Sequence, residues 1–239
     1  MSDIGGDFIF WGALKALAWL ALTIGLYFGA QRIQSAMKGN PLANTVLLAA
    51  LPIMAALNFW HVPVEAYQEG GVVLLWLLGP ATVALAIPLY LNFSHVRAAW
   101  LPMLVALIVG SAVAVIASVG IGYALGASIE TLRSLAPKTV TTPIAMGIAQ
   151  SIGGIPALTA AFVIFTGIIG AVSASALFRL VRVNDARARG FAMGIAAGGI
   201  GTARAFQESL LTGTFSGVGM TLNGILTAIW LPVIWLAFS

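Results

Sequence analysis

An arginine set among apolar residues is the first feature that demands a chemical account. Arg204 stands in Gly201-Thr202-Ala203-Arg204, with long hydrophobic sequence on either side. Placing arginine deep in a bilayer costs at least about 2.5–3.5 kcal/mol on insertion scales, so the side chain needs a partner. Two are available. Glu208 lies at i+4 on a helix. The alternative is the carboxylate of a small anion, which a guanidinium grips with two parallel hydrogen bonds. Backbone N–H groups from Gly198 to Thr202 would approach the same anion. A second polar set lies in SLAPKTVTTPIAMGIAQSIGGIP, Ser134 to Pro156, which carries Lys138, Thr139, Thr141, Thr142, Gln150 and Ser151. Thr139 and Thr142 are three apart and are expected to share a helical face. Their hydroxyls either bond backbone carbonyls and ease a helix break, or meet a substrate. The breakers are in the same stretch: Pro143, Gly153-Gly154 and Pro156.

Other chemistries find little support. There is no H-E-x-x-H, no G-x-S-x-G and no Walker A motif. Gly120-Ile-Gly122-Tyr-Ala-Leu-Gly126 misses the dinucleotide spacing by one residue. His61 and Glu65 have metal-ligand spacing, but Pro63 intervenes and a real site needs more ligands, so no metal is expected. His95 and Arg97 read as a solvated interfacial loop. The chain has no cysteine, which excludes disulfides and thiolate chemistry. Neither an enzyme nor a resident cofactor is expected.

The elements that must position these residues are membrane helices. Of 239 residues, 60% are hydrophobic and 8% charged, against roughly 25% charged in soluble domains. The mean hydropathy is +1.03. The net charge of +4 comes from basic residues scattered in short loops, a pattern of membrane orientation and not of nucleic-acid binding. Asp3 and Asp7 stand where a signal peptide would be basic, so no removable leader is expected. Apolar runs of about 20 residues predict spans near 8–28, 42–60, 71–91 and 101–125. Lys15, between Trp11 and Trp19, is expected to snorkel to an interface. The loop LFRLVRVNDARARG, with four arginines against Asp185, belongs on the cytoplasmic side, as does the loop with Arg32 and Lys38. The acidic loop at 61–70 and the loop at 126–138 then fall outside, as do both termini.

This count leaves about 40 residues to travel once from outside to inside, where one span needs about 20. A half-helix at Thr139–Gly153 that turns back, followed by a span at Pro156–Leu177, solves it. The same pattern repeats after the arginine loop. Phe191–Gln207 is short and glycine-rich, ESLLTGTFSG reads as a polar turn, and Val218–Phe238 is long enough to span. Two broken elements entering from opposite faces resemble the inverted repeats of transporters. Pro80-Ala81-Thr82-Val83 echoes Pro137-Lys138-Thr139-Val140, and each is followed by a further proline, Pro88 and Pro143. The echo suggests a third break at Pro80–Pro88. Gly25/Gly29, Gly122/Gly126, Gly194/Gly198 and Gly213/Gly217 have the spacing of close helix packing. The expected architecture is therefore all-α and polytopic. It has about six full transmembrane helices plus re-entrant half-helices in a single domain over 1–239. N-terminal helices occupy about 8–128 and a broken-helix transport core about 134–238.

Three segments in order, LLGPATVALAIPLY, PKTVTTPIAMGIAQSIGGIPALTA and GIGTARAFQE, resemble the LrgB/CidB family of bacterial membrane proteins. A domain of the plastid glycolate/glycerate translocator is similar. The resemblance runs from about Leu74 to Pro232. It implies a multi-pass protein of the bacterial cytoplasmic membrane that works with a smaller LrgA/CidA-like membrane protein and forms homo-oligomers. It also implies two readings of function. One is uptake or exchange of small monocarboxylates such as glycolate, glycerate or pyruvate, coupled to H+ or Na+. The other is antiholin-like modulation of murein hydrolase activity and autolysis. Signature residues carried over are Pro80, Thr82, Lys138, Thr139, Thr142, Pro143, Gly153, Gly154, Gly201, Thr202 and Arg204. At the position three before Gly201, many relatives have histidine where this chain has Gly198, so a histidine proton relay there is not expected.

Overall fold

A computed structural model describes residues 4–37, 45–84 and 86–237, and every element among them is an α-helix. The contacts divide the chain into two compact units, Met1–Ala84 and Leu85–Ser239.

The first unit holds α1 (Ile4–Ala36), α2 (Thr45–Phe59) and α3 (Val64–Ala84). Gly70 lets α3 approach α1 closely, since a Cβ there would lie 2.6 Å from the Ala16 carbonyl oxygen. Trp19 joins Trp60 and Tyr67 in an aromatic cluster, and Thr23 hydrogen-bonds the Tyr67 hydroxyl at 3.0 Å. Pro80 lies inside α3, which ends at Ala84, within the Pro80–Pro88 stretch expected to break. Thr82 is also on α3, its side chain outside the described set, as is Lys38.

The second unit holds α4 (Ala86–Leu91), α5 (Phe93–Ala98), α6 (Trp100–Ala124), α7 (Ile129–Leu135), α8 (Thr142–Ser151), α9 (Pro156–Leu180), α10 (Ala186–Glu208) and α11 (Leu210–Ala237). Pro88 sits in α4. Gly126, at φ +78° just past the end of α6, closes that helix in the left-handed conformation glycine favours. Ser128 then caps α7 by accepting the Thr131 N–H at 3.3 Å, so part of the expected loop at 126–138 is helical.

Four described helices are long and apolar enough to cross a membrane: Leu14–Ala36, Trp100–Ala124, Pro156–Leu180 and Leu210–Ala237. About six were expected. The 15-residue α2 is too short by that measure, and α3 carries Glu65 and Glu69 in its first turns. Large apolar side chains such as Ile116, Phe165, Ile169 and Ile229 face outward on these helices, as a lipid environment requires. The chain is a multi-pass membrane protein.

Of the segment 208–217, expected as a polar turn, only Ser209 lies between helices, and Leu210 to Gly217 are the start of α11. Ser209 caps it, accepting the Thr212 N–H at 3.0 Å, and Thr214 returns its hydroxyl to the Leu210 carbonyl at 2.8 Å. Polar and small residues that read as a turn are here a buried helix face from Thr212 to Gly217.

Candidate functional site

The first broken element is a helical hairpin. Pro137 lies within a non-helical segment, 136–141, and Pro143 in the first turn of the helix after it, because proline resists a helix interior and suits a helix's first turn. Thr141, at φ −66° and ψ 146°, is the N-cap residue of α8, and its side chain makes no capping hydrogen bond. Thr139 lies in the turn before α8, so it does not share a helical face with Thr142 as expected. The ten residues of α8 rise about 15 Å, half the roughly 30 Å apolar thickness of a bilayer. At its far end the chain comes back beside α7. Ser134 Oγ accepts the Ile155 N–H at 2.8 Å and donates to the Glu130 carbonyl at 2.7 Å. Gly153 turns with φ +76°, and a Cβ on Gly154 would lie 2.9 Å from the Ser134 nitrogen. The glycine pair thus supplies one turn and one close approach. Pro156 then opens α9.

The second broken element is also a hairpin, folded within α10. Arg189 Nη2 and Glu208 Oε2 are 2.8 Å apart although 19 residues separate them, a distance of about 28 Å along a straight helix. The reversal is Gly198, at φ 52° and ψ −135°, a region glycine alone enters readily. The two arms, 186–197 and 199–208, touch along small residues: a Cβ on Gly201 would lie 2.8 Å from the Met193 carbonyl oxygen. Glu208 also accepts from Ser175 Oγ at 3.4 Å, and the Arg189 guanidinium lies 5.2 Å from the centre of the Phe178 ring. The alternative expected for Arg204, an ion pair with Glu208, is therefore not formed, because the fold-back delivers Arg189 to that carboxylate. Arg204 Nη1 donates instead to Gln207 Oε1 at 3.0 Å. Beside the first arm runs α11. Methyl groups at Gly190 and Gly194 would overlap the carbonyls of Thr212 and Ser216, a constant offset that makes the two segments parallel. Of the expected glycine pairs, Gly194 packs and Gly198 turns, while Gly25 and Gly29 face open space.

The two reversals meet. A Cβ on Gly198 would lie 3.7 Å from the carbonyl oxygens of both Thr139 and Val140. Asn223 of α11, fully buried, places Nδ2 3.4 Å from the Thr139 carbonyl oxygen, 3.4 Å from its Oγ1 and 3.3 Å from the Ile195 carbonyl oxygen. Thr227 Oγ1 donates to Asn223 Oδ1 at 3.4 Å and lies 3.2 Å from Ser111 Oγ on α6. Thr202, on the returning arm, bonds the Gly198 carbonyl and Ser216 Oγ, both at 2.9 Å. Both returning arms begin at this junction, so two helix N-termini, each with partial positive charge and unpaired N–H groups, converge there. Such an arrangement is suited to a small anion.

Thr139, Gly201 and Thr202 of the expected set come together at the junction, and Thr142 begins α8 beside it. Lys138 is half-buried in the same loop. Gln150 is exposed near the far end of α8, away from the reversal. Sequence reading missed Asn223, Thr227, Ser111 and Ser216. Its available signal was an asparagine and a threonine at i, i+4 inside an otherwise apolar span, polar groups that need partners at membrane depth. An apolar groove of about 550 Å³ runs along α6 and the first arm of α10, from Asp185 and Arg187 at one end to Gly110, Ala114 and Ile195 at the other. In the arginine loop, Asp185 caps α10 and takes a bidentate contact from Arg187, whose hydrogen bonds lower the carboxyl pKa to about 2. No group of three or more potential metal ligands occurs among the described residues.

Comparison with known proteins agrees with this architecture. The sequence model described as the LrgB-like family matches residues 23–237. The protein YwbG of Bacillus subtilis is 38% identical over 87% of this chain and 92% of its own length. YxaC of the same organism is 33% identical over 94% of this chain and 97% of its own. A protein of Staphylococcus epidermidis named holin-like protein CidB is 30% identical over 94% of this chain and 98% of its own. No solved structure matches. With a family match over most of its length and full-length relatives on the same pattern, the chain belongs to the LrgB-like family of membrane proteins.

Proposed function

We propose that this protein is a secondary carrier of small monocarboxylates, with glycolate, glycerate and pyruvate as the size class, driven by H+ or Na+. The observation that carries the reading is the convergence of two helix N-termini where the two hairpins meet. A simple pore has no need of broken helices, whereas a carrier needs a site that can be reached from either face in turn. A carboxylate at the junction would meet N–H groups of α8 and of the second arm of α10, with Thr142, Gly201 and Thr202 close by. Lys138 and Arg204 are the cations nearest in sequence to these N-termini. Arg204 serves substrate in this reading only by turning from Gln207 toward the junction. The carrier sits in the bacterial cytoplasmic membrane with the arginine loop inside and both termini outside. It forms homo-oligomers and works with a small LrgA/CidA-like membrane protein.

A second reading has its own support. The relatives from Staphylococcus epidermidis and Staphylococcus aureus are named holin-like proteins, and that name includes no carboxylate. A protein that modulates autolysis through a pore would need no saturable site. Uptake of labelled glycolate and pyruvate into proteoliposomes, with and without the small partner, separates the two. Saturation with mutual competition supports the carrier. Non-saturable leakage of unrelated solutes supports the holin-like reading and overturns the first.

A further inference from the structure

We propose that Asn223 is a shared clasp that couples the two hairpin tips to each other through α11. This rests on the carrier reading for its consequence but not for its geometry. Asn223 is fully buried, and its amide nitrogen faces acceptors from both tips: Thr139 of the first, and Ile195, three residues before the reversal of the second. Because two of these acceptors are backbone carbonyls, only the N–H side of the amide can face them. The opposite side, Oδ1, is fixed by the Thr227 hydroxyl, itself anchored to Ser111 of α6.

All three distances from the nitrogen, 3.3–3.4 Å, lie at the long edge of hydrogen bonding, where about 2.9–3.0 Å is usual. The amide therefore sits between the tips and satisfies neither fully. When one tip withdraws, the amide is free to tighten on the one that stays. Alternating access asks for this behaviour: one re-entrant tip held while the other moves. A buried amide left with neither partner is unfavourable, which disfavours the state with both tips released, the leak. Asn223 is thus a positioning residue, acting on the tips and not on the substrate.

The test uses the whole 239-residue chain, which has no native cysteine. Single cysteines replace Val140, 1% exposed at the first tip, or Ala197, 5% exposed at the second, and report each tip by its rate of N-ethylmaleimide labelling in proteoliposomes. Asn223→Leu removes both N–H donors. Asn223→Asp keeps the shape but offers at most one donor. With Leu, both reporters are expected to label about ten-fold faster, the scale of losing the hydrogen bonds that hold each tip. With Asp, at least one reporter should accelerate by a similar factor. A role in packing alone would leave Asp at the parental rate. Thr227→Val, which frees the amide to rotate, should raise both rates by about three-fold and serves if the Asn223 variants do not fold. Parental rates at both reporters in every folded variant overturn the proposal, as does acceleration at one reporter only with Leu. The carrier reading fails separately: reporters that respond as expected in vesicles showing no saturable uptake of labelled glycolate or pyruvate retain the clasp and remove the carrier. Saturable uptake with unresponsive reporters does the reverse.

Discussion

The two hairpins solve one problem by opposite means. The first turns back over six residues, 136–141, with a proline near each end. Its base is closed by backbone and hydroxyl groups, Ser134 to Ile155, and by the bare backbone of Gly154. The second turns back at the single residue Gly198, and its base is closed by charge, Arg189 to Glu208. The first packs its own buried residues, Val140, Ala145, Ile148 and Ile152, against Val115 and Leu231. The second buries Phe191 and Ile195 with Met103, Leu107 and Phe215, and it also leans on α11 through glycines whose backbone approaches leave no room for a methyl. A wide turn with a closed base can hold its shape with ordinary side chains. A one-residue turn concentrates its requirements, so a few positions tolerate no substitution.

That contrast can be broken at several points. The largest effect is expected where α11 meets the second hairpin. The double variant Gly190→Ala/Gly194→Ala would force methyl groups into the carbonyls of Thr212 and Ser216, and backbone cannot yield as a side chain can. A loss of about 3 kcal/mol or more is expected, read as a lowered midpoint of thermal unfolding in detergent. The matching change in the first hairpin, Gly147→Ala, meets open space on a helix and should be neutral or stabilising by up to about 1 kcal/mol. Equal destabilisation by the two would erase the distinction.

Next come the turning residues. Gly198→Ala has room for its methyl, yet its backbone region is glycine's, and about 1–3 kcal/mol should be lost. Gly153→Ala, at φ +76° beside the movable Arg133 guanidinium, should cost about 1–2 kcal/mol. Hydrogen exchange sharpens this pair. Gly198→Ala should loosen 196–202, and Gly153→Ala should loosen 150–156 and leave the second hairpin protected.

The charged base is expected to matter no more than the turning residues, and Arg204 least of all. The side chains of Arg189 and Glu208 are 27% and 17% exposed, so solvent weakens the pair. Removing either partner should cost about 1–2 kcal/mol, with part recovered in the double variant. Arg204→Ala should change stability by less than about 0.5 kcal/mol. A thermal double-mutant cycle that instead couples Arg204 to Glu208 would restore the local i, i+4 pairing and dissolve the hairpin.

Such pairings mark where sequence reading stops. The break near Gly153–Pro156 was legible because proline and glycine act through their own backbone, whereas the second reversal was expected after Gln207 and falls at Gly198. The spans at α6 and α9 were legible because lipid sets their length. The partner of Glu208 was not legible, since local spacing points to Arg204 and the competing arginine arrives only after the chain has reversed. The start of α11 was misread for a related reason. Thr212, Thr214 and Ser216 look like turn residues until the carbonyls and hydroxyls that satisfy them are in place. Asn223 was legible as an anomaly but not as a junction, because Thr139 and Ile195 reach it from 84 and 28 residues away.

The order of synthesis gives the parallel contact between α11 and the first arm of α10 a further meaning. As the chain leaves the ribosome, α10 emerges first, with Arg187, Arg189, Arg204 and Glu208 at its ends and an open backbone at Gly198. Alone in lipid, that reversal would leave peptide groups unsatisfied, and the arms are too short to cross. The surface that accepts Gly190 and Gly194, and the amide that meets the Ile195 carbonyl, lie on the helix that follows. The hairpin is therefore not a unit that a translocation channel can release sideways into the bilayer as it is made. It depends on α11, made after it, for the contacts that close its backbone in the bilayer.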